Sequence, residues 1–579
     1  MATALAEAAV RIRGDTFRRL FSARNAIVLV VAALIAYLAL VPLGFLLWQT
    51  FVRSGHLTLA NFRAAYSTIG LGRMLANSFA FAIGSTMLAI VIGTALAYLI
   101  VRTDVPFKPL MYAVSLVPLI IPGVLHTIAW IFLASPQIGI LNRNVIENIP
   151  GLHGHPFNIF SIPGMILIEG LHLSPLVFLL MVASFRSMDP SLEESAVMSG
   201  APLWRVFFRI TLPLARPALY AGILIMMVRG LESFEVPALV GLPNHIWVFT
   251  SRIWSALNAL NPDYGQAGAV AMSLLVLTSL GVWWHSRLAK RSRSFQTVTG
   301  KGFRPPPIPL GAWKWPATAL ILLYFVVAVV LPMLTLVYMS TQSFYSPPSR
   351  YTLSHMSFAN YTQVLHDPFV RHTALNSLIL GVSSATAVML IAAVASWLVV
   401  RTQLPGRWIV DNLAFLPLVI PGLVLGVALL SVYLRVRLPL ISIYGTLWIL
   451  FIAYMTRFMP YGMRYASTST FQISRELDES AAMSGAGWFQ TFRRIDLPLL
   501  APGLVAGWIY ILVVSVRELG ATVVIYSPGK ETLAIAIWEK YRDGLFPELA
   551  ALGVLMILSL VVLVMIAAKL GARIGVREA

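Results

Sequence analysis

The chain has 579 residues, 58% of them hydrophobic and 11% charged, and its 42 basic against 23 acidic residues give a formal net charge of +19. A soluble domain cannot hide that much apolar surface, so the chain belongs to the polytopic membrane class, and the lack of cysteine excludes disulfides, thiol catalysis and cysteine metal sites. The basic residues fall in short loops between apolar runs, where they orient a membrane protein against anionic lipid. This placement argues against nucleic acid as a partner.

The chain begins with Arg11, Arg13, Arg18, Arg19 and Arg24, followed by an apolar run too long for a signal-peptide core. This reads as a retained first span with a cytoplasmic N-terminus. An all-α polytopic fold of about twelve helices follows, each span having the roughly 20 apolar residues that a bilayer needs. In the first half the spans are expected near 27–51, 74–101, 109–134, 162–186, 214–240 and 265–288. In the second half they are expected near 315–340, 374–400, 408–434, 441–465, 499–525 and 548–570. Alternating sides puts the 102–108 and 401–407 turns, the 287–314 stretch and the C-terminus in the cytoplasm, and these segments hold most of the Lys and Arg.

The halves repeat one another. Asn77-Ser78 recurs as Asn376-Ser377, Arg102-Thr103 as Arg401-Thr402, and Pro122-Gly123 as Pro421-Gly422, all at one spacing. Six spans per half keep corresponding elements in the same orientation, which is a parallel tandem repeat. The expected organisation is a first repeat over 1–290, a cytoplasmic linker over 291–313 containing Pro305-Pro306-Pro307, and a second repeat over 314–579. The linker composition suits an extended spacer. The outer stretches Leu59-Ala60-Asn61-Phe62 and Phe358-Ala359-Asn360-Tyr361 are similar, and being polar and aromatic they suit a membrane surface that receives a partner. The Pro122-Gly123 and Pro421-Gly422 pairs interrupt spans as hinges or as kinks.

Two polar islands interrupt the apolar pattern, at 189–213 and 474–498. The first reads Leu192-Glu193-Glu194-Ser195-Ala196-Val197-Met198-Ser199-Gly200-Ala201 and closes on Ile210-Thr211-Leu212-Pro213. The second reads Leu477-Asp478-Glu479-Ser480-Ala481-Ala482-Met483-Ser484-Gly485-Ala486 and closes on Ile495-Asp496-Leu497-Pro498. Asp189 with Pro190, and Ser474, supply helix-start chemistry. Gly200 and Gly485 interrupt a short helix, Pro202 can begin a second one, and each Leu-Pro is expected to stop it before the next span. The unit is helix, turn, helix at a membrane surface.

These residues resemble the cytoplasmic coupling loop of binding-protein-dependent ABC importer permeases. Ser195 and Ser480 stand where the family has its first alanine; the glutamate, second alanine, glycine and Leu-Pro are kept. The resemblance implies a type I importer fold in fused, double-length form in a bacterial inner membrane, with a periplasmic solute-binding protein and two copies of a cytoplasmic ATPase as partners. ATP and Mg²⁺ would belong to that ATPase. The permease itself would bind no cofactor and have no catalytic or metal residues. It further implies that Glu194, Ser195, Ala196, Gly200, Leu212 and Pro213, with Glu479, Ser480, Ala481, Gly485, Leu497 and Pro498, couple to the ATPase. The glutamates could instead cap their helices.

Charge inside a span is expensive and marks a candidate path. The set is Glu169 and His172 in the fourth span, Arg229, Glu232 and Glu235 in the fifth, and Arg457, Arg517 and Glu518 in the second half. Arg229 and Glu232 can pair along one helix face. In the repeat alignment Arg517 falls opposite Glu232, and Arg457 opposite His172, so acids and bases can meet; fixed interhelical ion pairs are the plainer alternative. Leu231-Glu232-Ser233-Phe234-Glu235-Val236-Pro237, Pro262-Asp263-Tyr264-Gly265 and Arg517-Glu518-Leu519-Gly520-Ala521-Thr522 are most similar to ferric-iron importers, and related permeases carry thiamine, phosphonates or polyamines. No phosphate loop, His-Glu-x-x-His or Gly-x-Ser-x-Gly occurs, which points away from an ATPase or other enzyme. A secondary transporter or channel would also show twelve spans, but would leave the duplicated loop without a purpose.

Overall fold

The computed structural model describes residues 23–53, 55–67, 70–149, 156–189, 191–292, 307–402, 404, 406–436 and 442–573. Arg11, Arg13, Arg18 and Arg19, Pro190, most of the linker with Pro305-Pro306, the first residue of the 441–465 span and the tail 574–579 lie outside the described residues. The described chain is helical, with one two-residue hairpin pairing Val52–Arg53 against His56–Leu57. Helix is what apolar runs of this length must form in hydrocarbon, where only bonds within the segment satisfy the backbone.

Among the described residues, eight helices are long and apolar enough to cross a membrane: Ile27–Phe51, Leu71–Arg102, Ile162–Arg186, Tyr264–Trp284, Gly311–Ser340, Pro368–Arg401, Trp488–Val516 and Phe546–Ile566. Counting each sharply bent pair of helices as one span gives eleven. The remaining expected span is a helix over Leu447–Gln472, which is long enough but too polar to be counted with them. The third and ninth spans are broken outright. Lys108–Leu119 meets Gly123–Ala134 at 93°, and Arg407–Val419 meets Gly422–Tyr433 at 108°. Pro122 and Pro421 stand extended at these breaks, with ψ near 136° and 142°, and each opens the helix that follows.

The fifth and eleventh spans break as well. Arg216–Glu232 ends at Ser233-Phe234 before a wide turn over Pro237–Gly241, and Leu497–Val516 ends before Thr522–Ile525. The recurring Asn-Ser pair supports the chain after each break. Asn77 donates to the Trp247 carbonyl (3.1 Å) and Ser78 Oγ accepts from the Phe249 amide (3.3 Å). Asn376 and Ser377 treat the Glu531 carbonyl (3.0 Å) and the Leu533 amide (2.8 Å) alike.

Two compact units cut across the repeats. One comprises 1–49, 372–533 and 562–579; the other comprises 50–371 and 534–561. The opening helix of each repeat therefore belongs with the body of the other repeat. Within the first unit Tyr37 and Tyr433 share a hydroxyl hydrogen bond of 2.6 Å; within the second, Ser174 donates to the Tyr324 hydroxyl at 2.9 Å.

Close helix contacts rest on small residues, as membrane packing requires. In the first repeat Gly93 meets Val177, where a Cβ on Gly93 would come within 2.6 Å of the Val177 Cβ. In the second repeat the sizes are exchanged, Ala392 facing Gly462 across the corresponding contact. The Asn of the two outer signatures is structural. Asn61 is buried and donates to the Thr50 carbonyl (2.9 Å), while Asn360 donates to the carbonyls of Ser340 (2.9 Å) and Gln342 (2.6 Å), tying each outer loop to the end of its span.

Candidate functional site

Each polar island folds as a short helix, a glycine turn and a second helix. Asp189 Oδ1 accepts from the Ser191 amide (2.9 Å) and Ser474 Oγ from the Glu476 amide (3.3 Å), so the helix starts are capped by the residues whose chemistry suits it. The backbone hydrogen bond to Asp189 holds its exposed carboxyl below the usual range. The helices Ser191–Met198 and Glu476–Met483 end identically, with Gly200 and Gly485 at φ +80°. Ala201 donates to Ala196 O and Gly200 to Val197 O; Ala486 donates to Ala481 O and Gly485 to Ala482 O, a Schellman closure in both.

The Leu-Pro pairs do not stop the second helix. Leu203–Val206 widens into a π turn at Phe207–Thr211 and runs on through Pro213 to Leu214, bending by 73° only at Ala215. In the second repeat a π turn at Phe492–Asp496 leads through Pro498 and Pro502 into the span. The wider turn accommodates the missing proline amide and the ring, so the helix continues where a regular α-helix would break.

Glu194 and Glu479 are exposed, with Met198 and Met483 fully presented at 88% and 89%. Neither glutamate caps its helix. Ser195, Ser480, Gly200 and Gly485 are exposed too, Ala196 is half-buried, and Ala481 is buried under the helix. Leu212, Pro213 and Leu497 are half-buried and Pro498 exposed. The acid just before each glutamate faces inward. Glu193 and Arg102 are 4% and 3% exposed, their side chains 2.7 Å apart, and Thr211 Oγ1 donates to Glu193 at 2.5 Å. The second repeat places Arg401, Asp478 and Asp496 at the matching positions, with Arg401 Nε 3.6 Å from Asp478. One turn before each arginine an aromatic ring completes the anchor. Tyr98 packs edge-on to Phe207 at 4.6 Å, and Trp397 shares a buried cluster with Phe492. Arg102 and Arg401 are legible in the sequence as repeat landmarks, but not as partners of the loops. The signal available was a recurring basic residue at the cytoplasmic end of a span together with a recurring acid in each loop.

The intramembrane charges gather at the broken spans. In the first repeat Ser233, at the break, donates to Glu169 Oε2 (2.9 Å), its carbonyl accepts from Thr250 (2.7 Å), and Arg229 lies 3.7 Å from Glu232. Glu235 reaches the start of the helix Gly123–Ala134, where a Cβ on residue 123 would collide with its Oε2 and lie 3.6 Å from His172 Nε2. The positive end of that helix suits a carboxylate. In the second repeat Arg457 takes the corresponding place beside Gly422 and pairs with Glu518 (3.3 Å), whose other oxygen accepts from the Ala521 amide (3.0 Å). Arg517 lies in that break, next to Glu518. No group of three or more His, Asp or Glu stands close enough to hold a metal ion among the described residues.

Gly123→Ala is expected to leave stability within about 1 kcal/mol of the parent, because the obstructing atom ends a flexible side chain, while displacing the Glu235 carboxylate. Thermal unfolding with solute uptake checks this: an unchanged melting temperature with severalfold slower uptake is expected, and parental uptake would make the position of Glu235 immaterial.

The sequence profile described as "Binding-protein-dependent transport system inner membrane component" matches residues 89–294 and 390–574. The chain belongs to this family. Both matches include one of the anchored loops and one of the broken fifth-type spans. Among relatives, the chain is 24% identical over 410 residues to the ferric transport system permease protein FbpB of Actinobacillus pleuropneumoniae, covering 70% of this chain and 58% of that protein. It is 23% identical over 494 residues to the Fe(3+)-transport system permease protein FbpB 2 of Haemophilus influenzae, covering 84% of this chain and 88% of the relative. A bacterial ABC transporter structure involved in alginate import aligns at 16% identity with a TM-score of 0.38, over 46% of this chain and 97% of that one. The chain spans less than two thirds of the length of some curated relatives it matches, 58% and 54% in two cases.

Proposed function

We propose that this chain is the membrane permease of an ATP-driven importer, receiving ferric iron from a periplasmic binding protein and releasing it to the cytoplasm by alternating access. The observation that carries the reading is the pair of matching loops, each with an exposed glutamate and methionine on its crest and an arginine–carboxylate pair at its base, buried in the first repeat and half-buried in the second. The crest would enter a cleft on one copy of a separate ATPase, so two copies would serve the two loops. The base makes the loop rigid with the end of the second span, so that closure of the ATPase would be transmitted as a rigid-body movement of the bundle. ATP and Mg²⁺ would reside on the ATPase; the permease would hold neither and would perform no catalysis.

The broken fifth and eleventh spans would line the route, since irregular backbone at membrane depth is tolerated where it is enclosed by protein or faces a watery cavity. Iron as cargo is supported by the ferric permeases among the relatives and by the carboxylates at the first-repeat break. An inner-membrane location with both termini cytoplasmic follows from the same reading and from the basic cytoplasmic segments.

The test is uptake of labelled Fe(III) into proteoliposomes holding this chain, its ATPase and its binding protein, in competition with thiamine, a phosphonate and a polyamine. ATP-dependent iron entry that none of the organic solutes reduces is the expected result. Entry of an organic solute without iron would replace the cargo and leave the coupling account standing.

A further inference from the structure

We propose that the last residues of the linker, Pro307 to Leu310, are a positioning strap for the first coupling loop: they hold the turn that carries Arg102, and with it the ion pair beneath that loop. In the sequence Pro305-Pro306-Pro307-Ile308-Pro309 the prolines have no backbone N–H, so Ile308 carries the single donor in five residues. That donor is used. Ile308 donates to the Arg102 carbonyl (2.8 Å), the Asp104 amide returns a bond to the Ile308 carbonyl (3.2 Å), and Thr103 faces Ile308 in a parallel β-bridge. The next donor along the chain, the Leu310 amide, goes to Asp104 Oδ1 (2.8 Å). A residue before proline is biased to extended backbone, as Ile308 is by Pro309, and with no donor on either neighbour the pairing cannot slip by one residue.

The strap meets the coupling machinery through one residue. Arg102 ends the second span; its carbonyl accepts from the linker while its guanidinium holds Glu193 at 2.7 Å. Thr103 is fully buried and leaves the helix extended, with φ −113° and ψ 172°, the geometry that a strand pairing needs. The second repeat holds its corresponding turn with its own next helix, where Arg407 donates to the Thr402 carbonyl. The matching residue in the first repeat is Lys108, which lacks the guanidinium fork, and there the linker supplies the hold.

This inference rests on the reading that the loops couple the permease to a separate ATPase. ATP hydrolysed per labelled Fe(III) imported is measured in the complete reconstituted system for the parent, Ile308→Pro, Asp104→Ala, Asp104→Asn and a variant with a protease site inserted between residues 296 and 302, before and after cutting. Ile308→Pro removes the donor while keeping an extended backbone, and Asp104→Asn keeps an acceptor for the Leu310 amide. A ratio raised about fivefold in Ile308→Pro and Asp104→Ala, near-parental in Asp104→Asn and unchanged by the cut supports the strap, because a segment held by hydrogen bonds does not need the chain before it. Parental ratios in both Ile308→Pro and Asp104→Ala overturn it, as does a loss of coupling on cutting alone, which assigns the linker to tethering. If Ile308→Pro fails to assemble, a parental ratio in Asp104→Ala overturns it equally. Iron uptake by the parent that needs no ATP overturns the coupling reading and the strap together.

Discussion

Arg102→Ala is expected to cut transport sharply while the membrane helices stay folded. Its guanidinium is the counter-charge to Glu193 in a pair from which water is almost excluded, and Thr211 alone cannot neutralise the carboxylate left behind. Removing one partner of such a pair costs about 3–5 kcal/mol, more than about a hundredfold in the docked population of the loop. Replacing both charges by leucine strands neither, so Arg102→Leu with Glu193→Leu should recover much of the loss despite being the larger change. Hydrogen exchange of the 191–211 backbone, read beside uptake, checks this. Rapid exchange in the single variant and protection in the double one is the expected pattern. In the second repeat Arg401 faces Asp478 with Asp496 close by, so Arg401→Ala strands two acids; adding Asp496→Thr, which restores the first-repeat residue, should relieve part of the defect.

Replacing Glu194 and Glu479 together by alanine is expected to abolish coupling without affecting the fold. Both are exposed and neither caps a helix, so their removal should change stability by no more than about 0.5 kcal/mol. Truncating one side of a charge pair that becomes buried in a partner's cleft costs about 2–5 kcal/mol, enough to lower uptake by about a hundredfold. Hydrolysis by the ATPase that no longer moves solute would be the signature. Loss of folded protein would instead assign the two glutamates a structural task.

The sequence made the membrane class, the tandem repeat and the loop motifs legible because each depends on local pattern. Asp189 and Ser474 cap, Gly200 and Gly485 take the left-handed turn, and the Pro-Gly pairs break their spans, as their chemistry requires. What stayed hidden depends on tertiary neighbours. Glu193 and Glu194 are adjacent and differ by 100° around a helix, so nothing local says which faces inward. The π turns that carry the chain past Pro213 and Pro498 place Phe207 and Phe492 against Tyr98 and Trp397 of the second spans, neighbours that the local sequence does not show. The exchange of opening helices between the units could not be read either, since uniformly apolar spans carry little information about their neighbours.

In the proposed function, energy reaches this permease through its two loops from a separate ATPase. The most direct test is uptake by proteoliposomes containing the chain and loaded binding protein, with and without the ATPase and ATP. Uptake is expected to need both, and to disappear in the Glu194→Ala, Glu479→Ala double variant even while ATP is consumed. Solute flux through the chain alone, unaffected by ATP and by the loop substitutions, would instead assign the molecule to the secondary transporters or channels.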